Sequence, residues 1–147
     1  MQDLLLHLPS QSVFVGLGLL VGFAAIFVGP FRAERRREAA VVFGIAGVAA
    51  VVGARVLWAL TAPAGPLRGG VAWARVVDPN LPGFWSFGGL AAGASAAYVA
   101  ARAVGEGREW ALLDAVVPAG FVVLACARFG CLSAGCDFGG PTDLPWG

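Results

Sequence analysis

The chain has 147 residues, a formal net charge of +1, 13% charged and 59% apolar residues, and a mean hydropathy of +0.79. Soluble domains carry about 25% charged residues, so these residues cannot cover a water-facing surface; disorder needs high charge and low hydrophobicity, and nucleic-acid binding needs a basic surplus. What remains is an all-α polytopic transmembrane bundle forming one domain over residues 1–147, and at roughly 20 residues per crossing the length admits about four spans but not seven.

Taken in order, the first apolar segment runs from Ser12 to Pro30. It follows a polar start with little positive charge and no small-residue cleavage site, which fits a retained helix better than a removed signal peptide. A second run, Ala39 to Thr61, and a third, Gly83 to Ala101, flank a stretch rich in Pro and Gly (Ala62 to Pro82). The fourth, Trp110 to about Phe129, precedes a glycine-rich end.

Short loops rich in Arg stay on the cytoplasmic side. The loop after the first run holds Arg32, Arg35, Arg36 and Arg37, and that after the third holds Arg102 and Arg108, six arginines against two (Arg68 and Arg75) in the intervening loop. The N-terminus and the segment from Cys131 to Gly147 therefore face outward. Trp58, Trp73, Trp85 and Trp110 fall near span ends, where interfacial anchors belong. Gly18 with Gly22, Gly89 with Gly93, and the Gly44, Gly47 and Ala50 group read as seams for close helix packing.

The informative residues are charges inside apolar runs, because an Arg at mid-membrane costs about 2.5 to 3.5 kcal/mol even on the gentler insertion scale. Arg55 lies toward the outer part of the second run, and Arg128 at the outer end of the fourth. Two permanently charged guanidinium groups in one leaflet suit an anionic lipid headgroup, which each can grip with two parallel hydrogen bonds. Snorkelling to the interface is the competing reading for each. Cys126, Cys131 and Cys136 recur every five residues without a nearby His, which does not favour a metal site. Cys131 and Cys136 could form a disulfide on an oxidising side. A reactive Cys136 thiol is the alternative, although the adjacent Asp137 carboxylate disfavours a thiolate. The sole His, His7, precedes the first run.

The segment from Arg128 through Gly130, Cys131, Gly135, Cys136 and Asp137 to the run Pro141-Thr142-Asp143-Leu144-Pro145-Trp146-Gly147 resembles the signature of the bacterial prolipoprotein diacylglyceryl transferases. Gly53 to Trp58 is similar to the family's Gly-Gly-Arg segment, and Ser86-Phe87-Gly88-Gly89-Leu90 to its His-Gly-Gly-Leu segment. Asp114 and Pro118 look like the pair that opens the helix before the signature. The chain departs from the pattern where Phe87 stands for the family's His, Cys131 and Ala134 for its two Asn, and Cys136 for its Glu.

The resemblance implies the N-terminal part of a seven-helix enzyme of the bacterial cytoplasmic (inner) membrane, with further helices beyond Gly147. Its reaction moves diacylglycerol from phosphatidylglycerol to the lipobox cysteine that follows a lipoprotein precursor's signal peptide. No metal, organic cofactor or nucleic acid is implied. Carried onto this chain, the candidate catalytic residues are Arg128, Cys136 and Asp137, and the candidate substrate-binding residues are Arg55, Gly88, Gly89, Gly130 and Gly135. The alternative is a non-catalytic, degenerate membrane module that binds lipid or packs helices and needs a second chain.

The orientation is testable with an impermeant thiol reagent on intact cells. Single cysteines at positions 64 and 142 should be labelled and one at position 33 should not; labelling at position 33 alone would invert the topology.

Overall fold

The computed structural model describes residues 10–28, 33–61 and 85–134. Four helices fill these segments: α1 (Ser10–Val28), α2 (Ala33–Thr61), α3 (Ser86–Val104) and α4 (Glu109–Ala134), with no strand among the described residues. A helix closes its own backbone hydrogen bonds, which is what apolar runs require in lipid. Three helical stretches, Arg35–Thr61, Ser86–Val104 and Glu109–Ser133, are long and apolar enough to cross a membrane, and Ser12–Val28 is a shorter apolar one.

The helices extend beyond the apolar runs that announce them. Helix α2 begins at Ala33, before the apolar run that starts at Ala39, so that Glu34 to Glu38 form its first turns. Arg and Glu are good helix formers, and the helix continues through them into the polar region. Helix α4 begins at Glu109, which places Asp114 and Pro118 inside it and not at its opening. Pro118 withholds one backbone N–H from the Asp114 carbonyl. Between α3 and α4 the chain reverses tightly. The Gly105 N–H donates to the Ala101 carbonyl at 2.9 Å and the Arg108 N–H to the Gly105 carbonyl at 2.8 Å. Glu106 (φ 46°) and Gly107 (φ 86°) take left-handed backbone conformations in that turn, which glycine adopts readily and glutamate seldom.

Two antiparallel pairs carry most of the packing, α2 with α3 and α1 with α4. In the first, Gly53 and Gly88 face each other: a Cβ on Gly53 would lie 2.5 Å from the Gly88 carbonyl oxygen, and one on Gly88 would meet the Gly53 carbonyl oxygen and, at 2.6 Å, Leu57 Cβ. Gly93 continues the seam against Ala50. In the second pair, a Cβ on Gly18 would come within 2.9 Å of Cys126 Cβ, and one on Gly22 within 2.9 Å of the Ala119 carbonyl oxygen. Lipid tails are as apolar as the helices, so such backbone approach supplies the van der Waals attraction that the hydrophobic effect cannot.

The buried core joins both pairs at the end marked by the α3–α4 turn, where Ile26, Val42, Phe43, Ala101, Leu112 and Val116 pack together. The same end carries two ion pairs. Arg108 reaches Glu38 at 3.3 Å, tying α2 to the turn, and Arg102 reaches Glu109 at 3.3 Å. Both pairs are partly exposed, and each contributes at most about 1 kcal/mol. Leu20, Val28, Phe121 and Leu90 point outward, as a lipid-facing surface requires.

The seam separates two kinds of glycine. Gly88→Ala should destabilise the fold by about 1–3 kcal/mol through overpacking. Gly44→Ala, where a Cβ meets nothing within 4 Å, should be neutral or stabilising by up to about 1 kcal/mol from helix propensity. Thermal unfolding in detergent, followed by circular dichroism, reads both.

Candidate functional site at the far end of the bundle

Among the described residues, every charged side chain except Arg55 and Arg128 lies within a few turns of the α3–α4 turn end. The Glu38–Arg108 contact sets a common origin for α2 and α4. At 1.5 Å per residue, Arg55 stands roughly 25 Å along α2 from Glu38, and Arg128 roughly 30 Å along α4 from Arg108. The two isolated arginines therefore occupy the same, opposite end of the bundle, as the Arg distribution in the sequence led us to expect.

The environment of Arg55 is built by the tightest interhelical glycine seam among the described residues. The glycine contact between Gly53 and Gly88 draws the first turn of α3 against α2. One residue further along α2, the Ala54 carbonyl accepts a hydrogen bond from the Trp85 N–H at 3.2 Å. Arg55 follows directly and is only 8% exposed, with Nη1 screened from solvent. Trp58 and Ala59, one turn on, are also buried. A buried guanidinium costs several kcal/mol unless its charge is compensated, so this placement sets Arg55 apart from a side chain that snorkels to the interface.

Gly88 and Gly89 lie beside this arginine, but the space that a Cβ would need is taken by α2. A Cβ on Gly89 would stand 3.1 Å from the Ala50 carbonyl oxygen and 3.4 Å from Ala54 Cβ. Their smallness thus serves helix approach, which in turn holds Arg55 at the start of α3. Trp85 gives α3 no side-chain cap, and Phe87 is 77% exposed.

Arg128 differs in setting. It is exposed and borders a groove of about 320 Å³ with Ala125, Phe129 and Leu132, all on one stretch of α4. Gly130, two residues on, is buried, and its carbonyl accepts the Ser133 hydroxyl at 2.9 Å. Cys126 is half-buried against Gly18, so its thiol belongs to the α1–α4 seam. Cys131 is half-buried too. Gly135, Cys136 and Asp137 lie outside the described residues, as do His7 and the second partner of any Cys131–Cys136 bond. No group of three or more His, Cys, Asp or Glu side chains that could hold a metal occurs among the described residues.

Of two contacts at this site and its counterpart, one is legible in the sequence and one is not. Glu38 and Arg108, as opposite charges at adjacent span ends, could be suspected from their positions. The Trp85–Ala54 bond joins backbone groups and leaves no mark on side-chain identity.

Antiparallel apolar helices, sealed by glycine seams and bearing isolated arginines at one end, define a multi-pass membrane protein. Residues 5–147 match the family described as prolipoprotein diacylglyceryl transferase, and the chain belongs to that family. No curated protein and no solved structure matches the chain.

Proposed function

We propose that the protein acts at the outer face of the bacterial cytoplasmic membrane, N-terminus outward, in the transfer of diacylglycerol from phosphatidylglycerol to the cysteine thiol of a lipoprotein precursor. The observation that carries this reading, beside family membership, is the placement of Arg55 and Arg128 at one end of the bundle, away from all other described charges. In this reaction a C–S bond forms at the glycerol carbon that bears the phosphate, the C–O bond to phosphate breaks, and glycerol phosphate departs as an anion. The thiol proton must pass to a base. A guanidinium donates two parallel hydrogen bonds to a phosphate, so it binds the donor lipid and stabilises the charge that grows on the leaving group. Arg128, which is exposed, is the candidate for direct contact; Arg55, held in the α2–α3 seam, supports the same anionic region. Gly130 and Gly135 are the candidate positions for close backbone approach to the headgroup, and Asp137 beside Cys136 is the candidate proton acceptor.

A non-catalytic lipid-binding role is favoured by one observation, the apolar and exposed Phe87 where the family has His. Substitution of Arg128 separates the readings. Arg128→Lys keeps the charge and loses the two-pronged geometry, and Arg128→Ala loses both. Each lost charge-assisted hydrogen bond is worth about 1.5–3 kcal/mol, so phosphatidylglycerol affinity should fall about tenfold or more in Arg128→Ala, measured on the folded, monodisperse fraction in detergent. Transfer to a lipobox peptide should fall in parallel. Loss of binding in a chain that shows no transfer identifies the lipid-binding role, and unchanged affinity rejects the phosphate contact altogether.

A further inference from the structure

Between the ion-pair end and the middle of the molecule lies a feature that the proposed transfer does not use. Between α1 and α2 runs an open groove of about 580 Å³, walled by Leu19, Leu20 and Phe23 and floored by Gly44, Gly47 and Val48. Its floor is open because glycine leaves it so: a Cβ on Gly44 would meet nothing within 4 Å, and one on Gly47 would touch only Leu19 Cδ2, at 3.1 Å. Every lining side chain is apolar.

We propose that this groove seats one acyl chain of an anionic phospholipid whose headgroup is held by Arg37, with Arg36 beside it. Successive residues of an α-helix turn by 100°, so Arg37, Val41, Gly44 and Val48, spaced by four, three and four residues, fall within about 60° of one another. Arg36 shares its angular position in the same way with Phe43 and Gly47. The two arginines thus stand at the foot of the groove, one under each side of its floor. Arg37 is exposed, and the neighbouring acid, Glu38, is engaged with Arg108.

The vertical spacing fits a lipid. From Arg37 the helix rises about 10 Å to Gly44 and about 16 Å to Val48, and one leaflet of a hydrocarbon core about 30 Å thick is about 15 Å deep. A chain entering beside the arginines therefore ends where the groove ends. Basic residues at the mouth of a cleft between membrane helices bind anionic headgroups in this manner. A second copy of the chain fits less well: a two-fold interface brings the same surface from both subunits together, which would set both copies' Arg36 and Arg37 side by side.

Native mass spectrometry of the detergent-purified protein tests the assignment, using phosphatidic acid and phosphatidylcholine with identical chains. Arg128 would grip the same phosphate, so the two lipids are compared in the Arg128→Ala chain, which leaves the groove as the anionic site under test. The protein should retain one phosphatidic acid in preference to phosphatidylcholine. Arg37→Gln and Arg36→Gln should each weaken that retention about fivefold. Gly44→Leu, which fills the floor, should abolish it, with Gly16→Leu, at a further lining position on α1, as a second filling variant should the first misfold. Equal retention of the two lipids, retention of neither, retention that survives both filling variants, or a lipid-free dimer that Gly44→Leu dissociates would each overturn the proposal.

Discussion

The contact between Gly53 and Gly88 is the constraint on which the far end of the molecule depends. In water, two apolar helices associate because association removes surface from solvent; in lipid that force is absent, and attraction grows only as backbones come closer. Two glycines facing each other allow the carbonyl oxygen of each helix to occupy the volume that the other's Cβ would claim. Everything placed near that crossing inherits its position, including the start of α3, the Ala54 carbonyl bond and the burial of Arg55.

The bundle is organised unevenly along its length. At the turn end, side chains from all four helices form one core, and ion pairs close over it. Toward the opposite end the two antiparallel pairs rely on glycine and alanine seams within each pair. Charge follows the same division. Helix starts rich in Arg and Glu cost little where water reaches them, whereas Arg55 is enclosed where apolar residues predominate. Such a residue reduces stability unless charge or hydrogen bonds compensate it, and the fold accommodates it beside the very seam that gives the pair its strength.

Much of this architecture was legible in the sequence. Four apolar runs gave four helices, and the pairs Gly18–Gly22 and Gly89–Gly93 lie in seams as their spacing suggested. Arg55 and Arg128 were also placed at one end by the distribution of charge alone. Helix limits were less legible: α2 begins well before its apolar run because Glu34 to Glu38 favour helix in water as apolar residues do in lipid, and Pro118 proved compatible with the interior of α4. The division of labour among glycines was hidden as well. Gly88 and Gly89 sit in a motif that suggests ligand approach, and only the partner helix shows that a neighbouring backbone fills the space. Gly44 and Gly47 look like members of a packing seam, yet Gly44 faces an open groove.

The bond from the Trp85 N–H to the Ala54 carbonyl fastens the entry of α3 to α2 through main-chain atoms alone. Its survival is therefore indifferent to which side chains occupy the two positions, provided that the residue at 85 retains an N–H; proline is the one amino acid that removes it. Relatives could exchange both residues freely while keeping the register of the two helices, so that the most durable fastening near the buried arginine would be the one least visible when their sequences are compared.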